Sequence, residues 1–152
     1  MGSAMTLIWS ILIAFVVVVV IYQLVHRTLV KRATIIMQNQ AQAATDQAVQ
    51  AALKAHLRPA NLPTDSVMVA DVWGKGVMAF EYVVDMPQLN VEEQEWLTKE
   101  NLTTALDQVG APTPLVITDW WEYEHQLHVD VANLMNEATK EYVADLEKLD
   151  KA

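Results

Sequence analysis

The sequence predicts an α+β protein in which a single N-terminal transmembrane helix continues into an Ala/Gln-rich amphipathic helix. A small antiparallel four-stranded sheet with helices follows, in the order ββαββα. Three observations predict this class: an apolar run at residues 7–25, a stretch without glycine or proline from Met5 to Pro59, and alternating strand-like and helix-like segments beyond Pro63. The predicted segments are an N-terminal tail (1–6), a transmembrane helix (7–25), a stalk helix (26–58), a linker (59–63) and an acidic α+β domain (64–152). The first four residues of the tail, MGSA, resemble a cloning remnant.

Charge divides the chain into two unlike parts. Residues 1–59 hold five basic side chains and one acid, whereas residues 60–152 hold five lysines and eighteen acids, and the whole chain has a net charge of −9. An acidic domain repels the phosphate backbone, so nucleic acid is excluded as a partner of this domain. The chain has no cysteine, which excludes disulfides, thiolate zinc sites and cysteine nucleophiles.

The run LIWSILIAFVVVVVIYQLV at residues 7–25 has the length and composition of a membrane span. At about 1.5 Å per residue, a helix of this length matches a hydrocarbon core roughly 30 Å thick. Trp9 and Tyr22 lie near its two ends, where amphipathic rings favour the headgroup region. No small-x-small cleavage site follows the run, so we expect an uncleaved anchor rather than a signal peptide, with membrane lipid as one partner.

Basic residues indicate how the predicted anchor is oriented. Arg27, Lys31 and Arg32 follow the apolar run, and no basic side chain precedes it. The positive-inside rule therefore predicts a single-pass protein of the inner membrane with its C-terminal domain in the cytoplasm.

The stalk helix has an apolar seam in steps of three and four residues that sum to an eleven-residue repeat, typical of a nearly straight or slightly right-handed helix contact. Its members are Val30, Ala33, Met37, Ala41, Ala44, Ala48, Ala52 and Ala55. Two interpretations remain open: a partner helix, including one from a homo-oligomer, contacts Ala41, Ala44, Ala48 and Ala52, or this face packs on the domain of its own chain. The layout resembles the peripheral-stalk b subunit of bacterial ATP synthases, although this chain is shorter and its C-terminal half differs.

Beyond the linker, residues 66–73 and 76–84 predict a β-hairpin that turns at Gly74-Lys75. Asn90 is a helix N-cap, and the helix continues to Val109, where Gly110 ends it. Residues 114–131 predict two strands with a turn near 124–126, and residues 133–149 predict the last helix. This order favours an antiparallel sheet backed by helices.

The candidate residues for catalysis or metal binding are clustered in the second pair of strands. They are Asp119, Glu122, Glu124, His125, His128 and Asp130. Alternation along a strand places His125 and His128 on opposite faces, which is unfavourable for a shared metal. We therefore interpret Glu122, Glu124, His128 and Asp130 as one solvated polar face, and we expect neither a metal nor a cofactor.

The adjacent Trp120 and Trp121 direct two large rings to opposite faces of one strand. One ring is expected in the core. The other is covered by the last helix or offered to a partner, because tryptophan often anchors interfaces.

These features favour a non-enzymatic, membrane-anchored subunit or assembly factor of a bacterial inner-membrane complex, such as a secretion or pilus machine, whose partners are other membrane-complex subunits. A second hypothesis is a pilin-like structural subunit with an extracytoplasmic β-domain. An apolar N-terminal helix that continues as an amphipathic helix and is followed by a sheet resembles the type IV pilin layout. Two features depart from that family: the early glutamate of the apolar stretch is missing, and the basic residues follow the apolar run, which does not suit a domain outside the cell. The third hypothesis is a membrane-tethered enzyme or metal-binding domain that uses residues 122–130.

Overall fold

The computed structural model describes residues 2–69 and 76–151 of the chain. It is an α+β structure with a long apolar N-terminal helix and a small open antiparallel four-stranded sheet with helices, as the sequence predicts. The helices and strands are α1 (Gly2–Lys54), β1 (Val67–Met68), β2 (Ala79–Asp85), α2 (Val91–Trp96), α3 (Lys99–Val109), β3 (Leu115–Tyr123), β4 (Gln126–Asn133) and α4 (Glu137–Lys151). Two short 3-10 turns lie at Pro59–Asn61 and Met86–Gln88.

The chain divides into two compact units, and the first is Met1–Met37. Helix α1 begins at Gly2 and therefore includes residues 2–6 of the predicted N-terminal tail. The apolar side chains of residues 7–25 are all exposed. By length and composition, this helix meets the requirement for crossing a membrane.

The second compact unit is Gln38–Ala152, so the folded domain begins well before the predicted boundary at residue 64. The C-terminal part of α1 is a core element of this domain and not a free stalk. Its buried residues are Ala41, Thr45, Ala48, Val49, Ala52 and Leu53. The structure thus shows the second of the two open interpretations, because Ala41, Ala48 and Ala52 are covered by their own chain. Small methyl side chains allow the helix backbone to lie close to the sheet.

The sheet has the strand order β1-β2-β4-β3, and all its strand pairs are antiparallel. Strand β4 is central and pairs along its length with both β2 and β3. In β3 the register shifts between Ile117 and Asp119, which marks a β-bulge on an edge strand. The hairpin predicted at 66–84 is present in part, because β1 pairs with β2 at two positions only, Val67 with Glu81 and Met68 with Phe80. Its predicted turn at Gly74-Lys75 lies outside the described residues.

The main core lies between one face of the sheet and helices α1 to α3. Its largest fully buried side chains include Phe80, Leu53, Met78, Leu102 and Leu127. A smaller apolar cluster lies on the other face under α4. It consists of Val77, Ala79, Ala132 and Val143. Both faces of the sheet are therefore covered at the end where β2 begins and β4 ends.

Side-chain hydrogen bonds join α1 to the segment that follows it. The Asp46 carboxylate accepts hydrogen bonds from the Ser66 hydroxyl (2.7 Å) and from the Tyr82 hydroxyl (2.5 Å). Gln50 donates to the Pro63 carbonyl oxygen at 2.8 Å. The predicted linker at 59–63 is therefore anchored on α1 and is not a free connection. Burial, reinforced by Asp46, raises the pKa of Tyr82, so this phenol remains a donor.

The predicted helix from Asn90 to Val109 is two helices with a break at Leu97 and Thr98. Thr98 has extended backbone dihedrals, and its hydroxyl caps α3 by accepting from the Asn101 amide at 3.2 Å. The Asn90 cap is confirmed, and Gly110 ends α3 in the left-handed conformation, as predicted. The break arises because Thr98 forms a second N-cap, which competes with continuation of the first helix.

The predicted turn between the last two strands is confirmed, whereas the last helix begins later than predicted. The β3–β4 turn is at Glu124 and His125, which both have positive φ angles (51° and 64°), as a tight two-residue hairpin requires. Asn133 belongs to β4, and the last helix begins at Glu137 rather than at residue 133. Asn136 caps this helix by accepting from the Thr139 amide at 3.0 Å.

The burial of α1 predicts a strong contrast between two neighbouring alanines. Ala48 is 4% exposed, so Ala48→Glu would bury an unpaired carboxylate and lower the free energy of unfolding by about 2–4 kcal/mol. Ala51 is exposed on the same helix, so Ala51→Glu should change it by less than about 0.5 kcal/mol. Urea denaturation followed by tryptophan fluorescence measures both variants. Equal effects would contradict the burial of this helix in the domain.

Candidate functional site

An acidic row crosses three strands on the sheet face that α4 partly covers. The register places Glu81 of β2 opposite Asp130 of β4, and Asp130 opposite Asp119 of β3. Directly opposite residues in antiparallel strands share a face, with Cβ atoms about 4.5–5.5 Å apart. Three carboxyl groups therefore lie side by side, which is electrostatically unfavourable if all are ionised.

His128 lies on the same face, two residues before Asp130. Its Nδ1 atom is 2.9 Å from the Glu81 carboxylate oxygen Oε1, and its ring stacks on Trp121 with centroids 4.9 Å apart. The pair of contacts fixes the orientation of the imidazole ring. Its other nitrogen, Nε2, is buried and has no hydrogen-bond partner among the residues that the structure describes.

Asp130 is the most deeply buried member of the acidic row, with 5% of its surface exposed. Its Oδ1 atom has no hydrogen-bond partner within the described part of the chain. Burial, followed by repulsion from Glu81 and Asp119, raises the pKa of Asp130 to about 7, while His128 opposes this rise. Asp130 is therefore a carboxyl group that can gain or lose a proton near neutral pH.

A cleft of about 370 Å³ opens beside Asp130, between the edge strand β3 and helix α4. Its lining residues are Lys99, Thr118, Asp119, Trp120, Asp130, Tyr142, Leu146 and Asp150. Burial and the nearby Asp130 and Asp119 raise the pKa of the Tyr142 hydroxyl, so the lining combines proton donors with carboxylates. This chemistry suits a cationic or hydrogen-bonding group more than an anion.

A second polar cluster surrounds Glu93 at the start of α2. The Glu93 carboxylate accepts from the Asn61 amide group at 3.0 Å, from the Arg58 backbone amide at 2.9 Å and from the Asn90 backbone amide at 3.1 Å. The Arg58 guanidinium adds an ion pair at 3.0 Å. These hydrogen bonds, Asn61 first, lower the pKa of Glu93 to about 2. The cluster fixes the chain after α1 against the capping box of α2.

Near this cluster, the His56 and Trp96 rings stack with centroids 3.9 Å apart. They border a cleft of about 440 Å³ whose other lining residues are Ala55, Leu57, Arg58, Asn90, Glu92 and Glu93. A third hollow, of about 210 Å³, is mostly apolar and includes Ala44, Leu115 and Met135 in its lining.

The structure places the six candidate residues predicted from the sequence in three different positions: on the two faces of the sheet and in the turn. Asp119, His128 and Asp130 share a face, but Glu122 lies opposite Leu127 on the other face, while Glu124 and His125 form the turn. The expectation of one solvated polar face is therefore wrong. The β3 bulge changes which residues share the face, and α4 covers the sheet where Asp130 lies.

Sequence reasoning missed Glu81 as a member of this row. Its signal was present, because Glu81 is the one charged residue in the apolar segment 76–84. Only the pairing of β2 with β4 brings it to Asp130 and His128. Within residues 2–69 and 76–151, no group of three or more His, Asp or Glu side chains has an arrangement that could hold a metal ion.

The remaining predicted residues are placed as follows. Trp120 packs on the main core and Trp121 on His128, so the two rings do occupy opposite faces, and both remain partly exposed. Ala44 is partly buried. The five proposed membrane-interface residues are all exposed: Trp9, Tyr22, Arg27, Lys31 and Arg32.

Comparison with known proteins gives no relative. The chain matches no protein-family model, no curated protein and no solved structure. Function is therefore argued from the residues described above.

The raised pKa of Asp130 predicts a pH-dependent stability. Because the pKa is higher in the folded state than the ordinary value of 3.8, Asp130 favours folding below about pH 4, and this contribution is lost as the pH rises through about 7. Asp130→Asn should leave stability little changed at pH 4 and raise it by roughly 2–4 kcal/mol at pH 8.

Urea denaturation of the detergent-solubilised protein between pH 4 and pH 8 tests this prediction. Asp119→Asn, at an exposed position of the same row, is the control and should have a smaller effect. Parallel pH profiles for wild type and Asp130→Asn would contradict the assignment.

Glu93 predicts the opposite pH behaviour. Its pKa is lowered on folding, so it stabilises the fold at pH values above about 4.5, and this contribution disappears as the pH falls through about 2. Glu93→Gln should lower the melting temperature at pH 7, with the difference from wild type narrowing toward pH 2. Glu92→Gln, at an exposed neighbouring position, should have little effect on melting. A difference that stays constant with pH would indicate lost packing rather than a lost carboxylate.

Proposed function

We propose that this protein is a non-enzymatic, single-pass subunit or assembly factor of a bacterial inner-membrane complex, which presents an acidic domain in the cytoplasm to other subunits. The observation that carries the proposal is that α1 combines two kinds of surface. One helix holds a run of exposed apolar side chains at residues 7–25 and also supplies core residues to the folded domain.

An exposed run of this kind is incompatible with water, because each buried Leu, Ile, Val or Phe side chain contributes about 1.5–3 kcal/mol when it leaves water. Lipid is the solvent that fits nineteen consecutive residues of this composition in a helix. A soluble partner would have to enclose the helix on all sides. Membrane anchoring is therefore the simplest cover for residues 7–25.

Charge supports the cytoplasmic location of the domain. Arg27, Lys31 and Arg32 are all exposed and follow the apolar run within two turns of helix. Basic residues at this place favour retention on the cytoplasmic side and attract anionic headgroups. The strongly acidic domain is repelled by the same headgroups, which leaves its surfaces available to protein partners.

Cysteine labelling provides a direct test, because the chain has no cysteine of its own. Ser3 and Lys148 are exposed near the two ends of the described chain. In intact cells, a membrane-impermeant maleimide should label Ser3→Cys but should label Lys148→Cys only after the membrane is broken. Both variants should remain in the membrane pellet after alkaline carbonate extraction, at the full-length mass of 17.0 kDa plus the label.

The alternative outcomes are informative. Labelling of Lys148→Cys in intact cells would place the domain outside and favour the pilin-like hypothesis. A shortened chain in the soluble fraction would identify residues 7–25 as a cleaved signal sequence and overturn the proposal.

A further inference from the structure

We propose that the cleft between β3 and α4 binds a linear alkyl polyamine, a flexible chain with a protonated amine at each end. We call it the β3–α4 cleft, and its volume is about 370 Å³. All of its lining residues belong to the second compact unit, so the site is complete within the folded domain. The proposed binding therefore does not depend on which side of a membrane the domain lies.

A buried carboxyl group that lacks a hydrogen-bond partner lines the β3–α4 cleft. Asp130 is only 5% exposed, and its Oδ1 atom forms no hydrogen bond with any residue that the structure describes. An unsatisfied buried polar atom costs free energy, and native structures usually provide such an atom with a partner. Because Asp130 lines the cleft, a donor bound there supplies the missing hydrogen bond.

The charges around the β3–α4 cleft favour a cation as that donor. The lining holds three carboxyl groups, those of Asp119, Asp130 and Asp150, and one basic group, that of Lys99. Lys99 is exposed and takes part in no ion pair within the described part of the chain. Asp130 is repelled by Asp119 and also by Glu81 beside it, and a bound positive charge relieves this repulsion. The acidic domain as a whole also attracts cations from solution.

An organic ammonium ion fits the β3–α4 cleft better than a metal ion does. Within residues 2–69 and 76–151, no three His, Asp or Glu side chains are arranged to ligate a metal. The lining instead combines its carboxyl groups with the larger side chains of Trp120, Tyr142 and Leu146. Such side chains pack against an alkyl chain, and an aromatic ring also attracts an ammonium group through its π face.

The spacing of the lining residues on α4 favours a ligand with an amine at each end. Tyr142, Leu146 and Asp150 are four residues apart, so they lie along one face of this helix. Tyr142 is close enough to Asp130 for that carboxylate to raise the pKa of its hydroxyl. Asp150 lies eight residues further along, about 12 Å in the direction of the helix axis. The cleft therefore has a carboxyl group toward each end and Leu146 between them, which matches a polyamine better than a single ammonium group.

Isothermal titration calorimetry with spermidine tests the proposal on the full chain, solubilised in a non-ionic detergent. At pH 8 the Asp130 carboxyl group, with its pKa of about 7, is mostly ionised, whereas a primary alkylamine remains protonated, as a lysine side chain does. Spermidine should bind at a single site per chain. Nα-acetyl-lysine methylamide, which has one terminal ammonium group, should bind at least roughly tenfold more weakly, because it leaves one end of the cleft without a charged partner.

Four substitutions identify the residues that bind the amine. Asp130→Asn should weaken spermidine binding by at least roughly tenfold, and it should remain folded, because the loss of this buried charge is expected to stabilise the domain at pH 8. Asp150→Asn should weaken binding by a smaller factor, since this carboxylate is exposed. Asp145→Asn removes the same charge from an exposed position of α4 outside the lining, so this matched control should leave the affinity unchanged. Lys99→Gln should strengthen binding, because it removes a positive charge that repels the ligand.

Binding that is lost in Asp130→Asn, weakened in Asp150→Asn and retained in Asp145→Asn supports the proposal. Equal losses in Asp145→Asn and Asp150→Asn would indicate non-specific attraction to an acidic surface. Equal affinity for Nα-acetyl-lysine methylamide would indicate a site for a lysine side chain of a partner protein, and displacement of spermidine by an equal concentration of Mg²⁺ would indicate a general cation site. Each of these results, like the absence of binding at millimolar spermidine, overturns the proposal. None of them affects the membrane anchoring that the cysteine labelling tests.

Discussion

The packing of the second half of α1 on the sheet is the constraint on which the rest of the domain depends. A four-stranded sheet with two residues in its first strand cannot bury its own apolar face. Val49 and Leu53 of α1 cover that face, and Asp46 accepts hydrogen bonds from Tyr82 on the sheet and from Ser66 on the segment that returns from the helix. Apolar burial supplies the energy, and the shared carboxylate sets the position of the helix along the strands.

This arrangement leaves the two faces of the sheet with different properties. The face toward α1 is almost wholly apolar, whereas the other face has an apolar end under α4 and an acidic row of Glu81, Asp130 and Asp119. Placing a buried carboxyl between two others costs stability at neutral pH. The same placement gives the domain a group that exchanges a proton near pH 7, which distinguishes this face from an ordinary solvated one.

The sequence was sufficient for those features that depend on local patterns. The long apolar helix, the caps at Asn90 and Gly110 and the strand pair that turns near residue 125 all follow from residue spacing and turn chemistry. The break at Thr98 was missed because a threonine cap is weak compared with the helix-forming residues on both sides of it.

Features that depend on contacts between residues far apart in the sequence could not be predicted from local patterns. The eleven-residue alanine seam correctly marks an interface, but spacing alone does not distinguish a partner helix from the chain's own sheet. Glu81 and Asp130 are almost fifty residues apart in the sequence, and only the pairing of β2 with β4 brings them together. The bulge after Ile117 changes the face of Asp119 and Trp121, and no residue type in this segment requires a bulge.

The sharing of α1 between two compact units also has a consequence for synthesis. Helix residues Val49 and Leu53 leave the ribosome early, but the core cluster to which they belong also includes Val131 of the central strand, about eighty residues later. At about 5–20 residues per second, this interval is roughly 4–16 s, during which an apolar helix face has no cover. The timing of translation is therefore part of the conditions under which the domain folds.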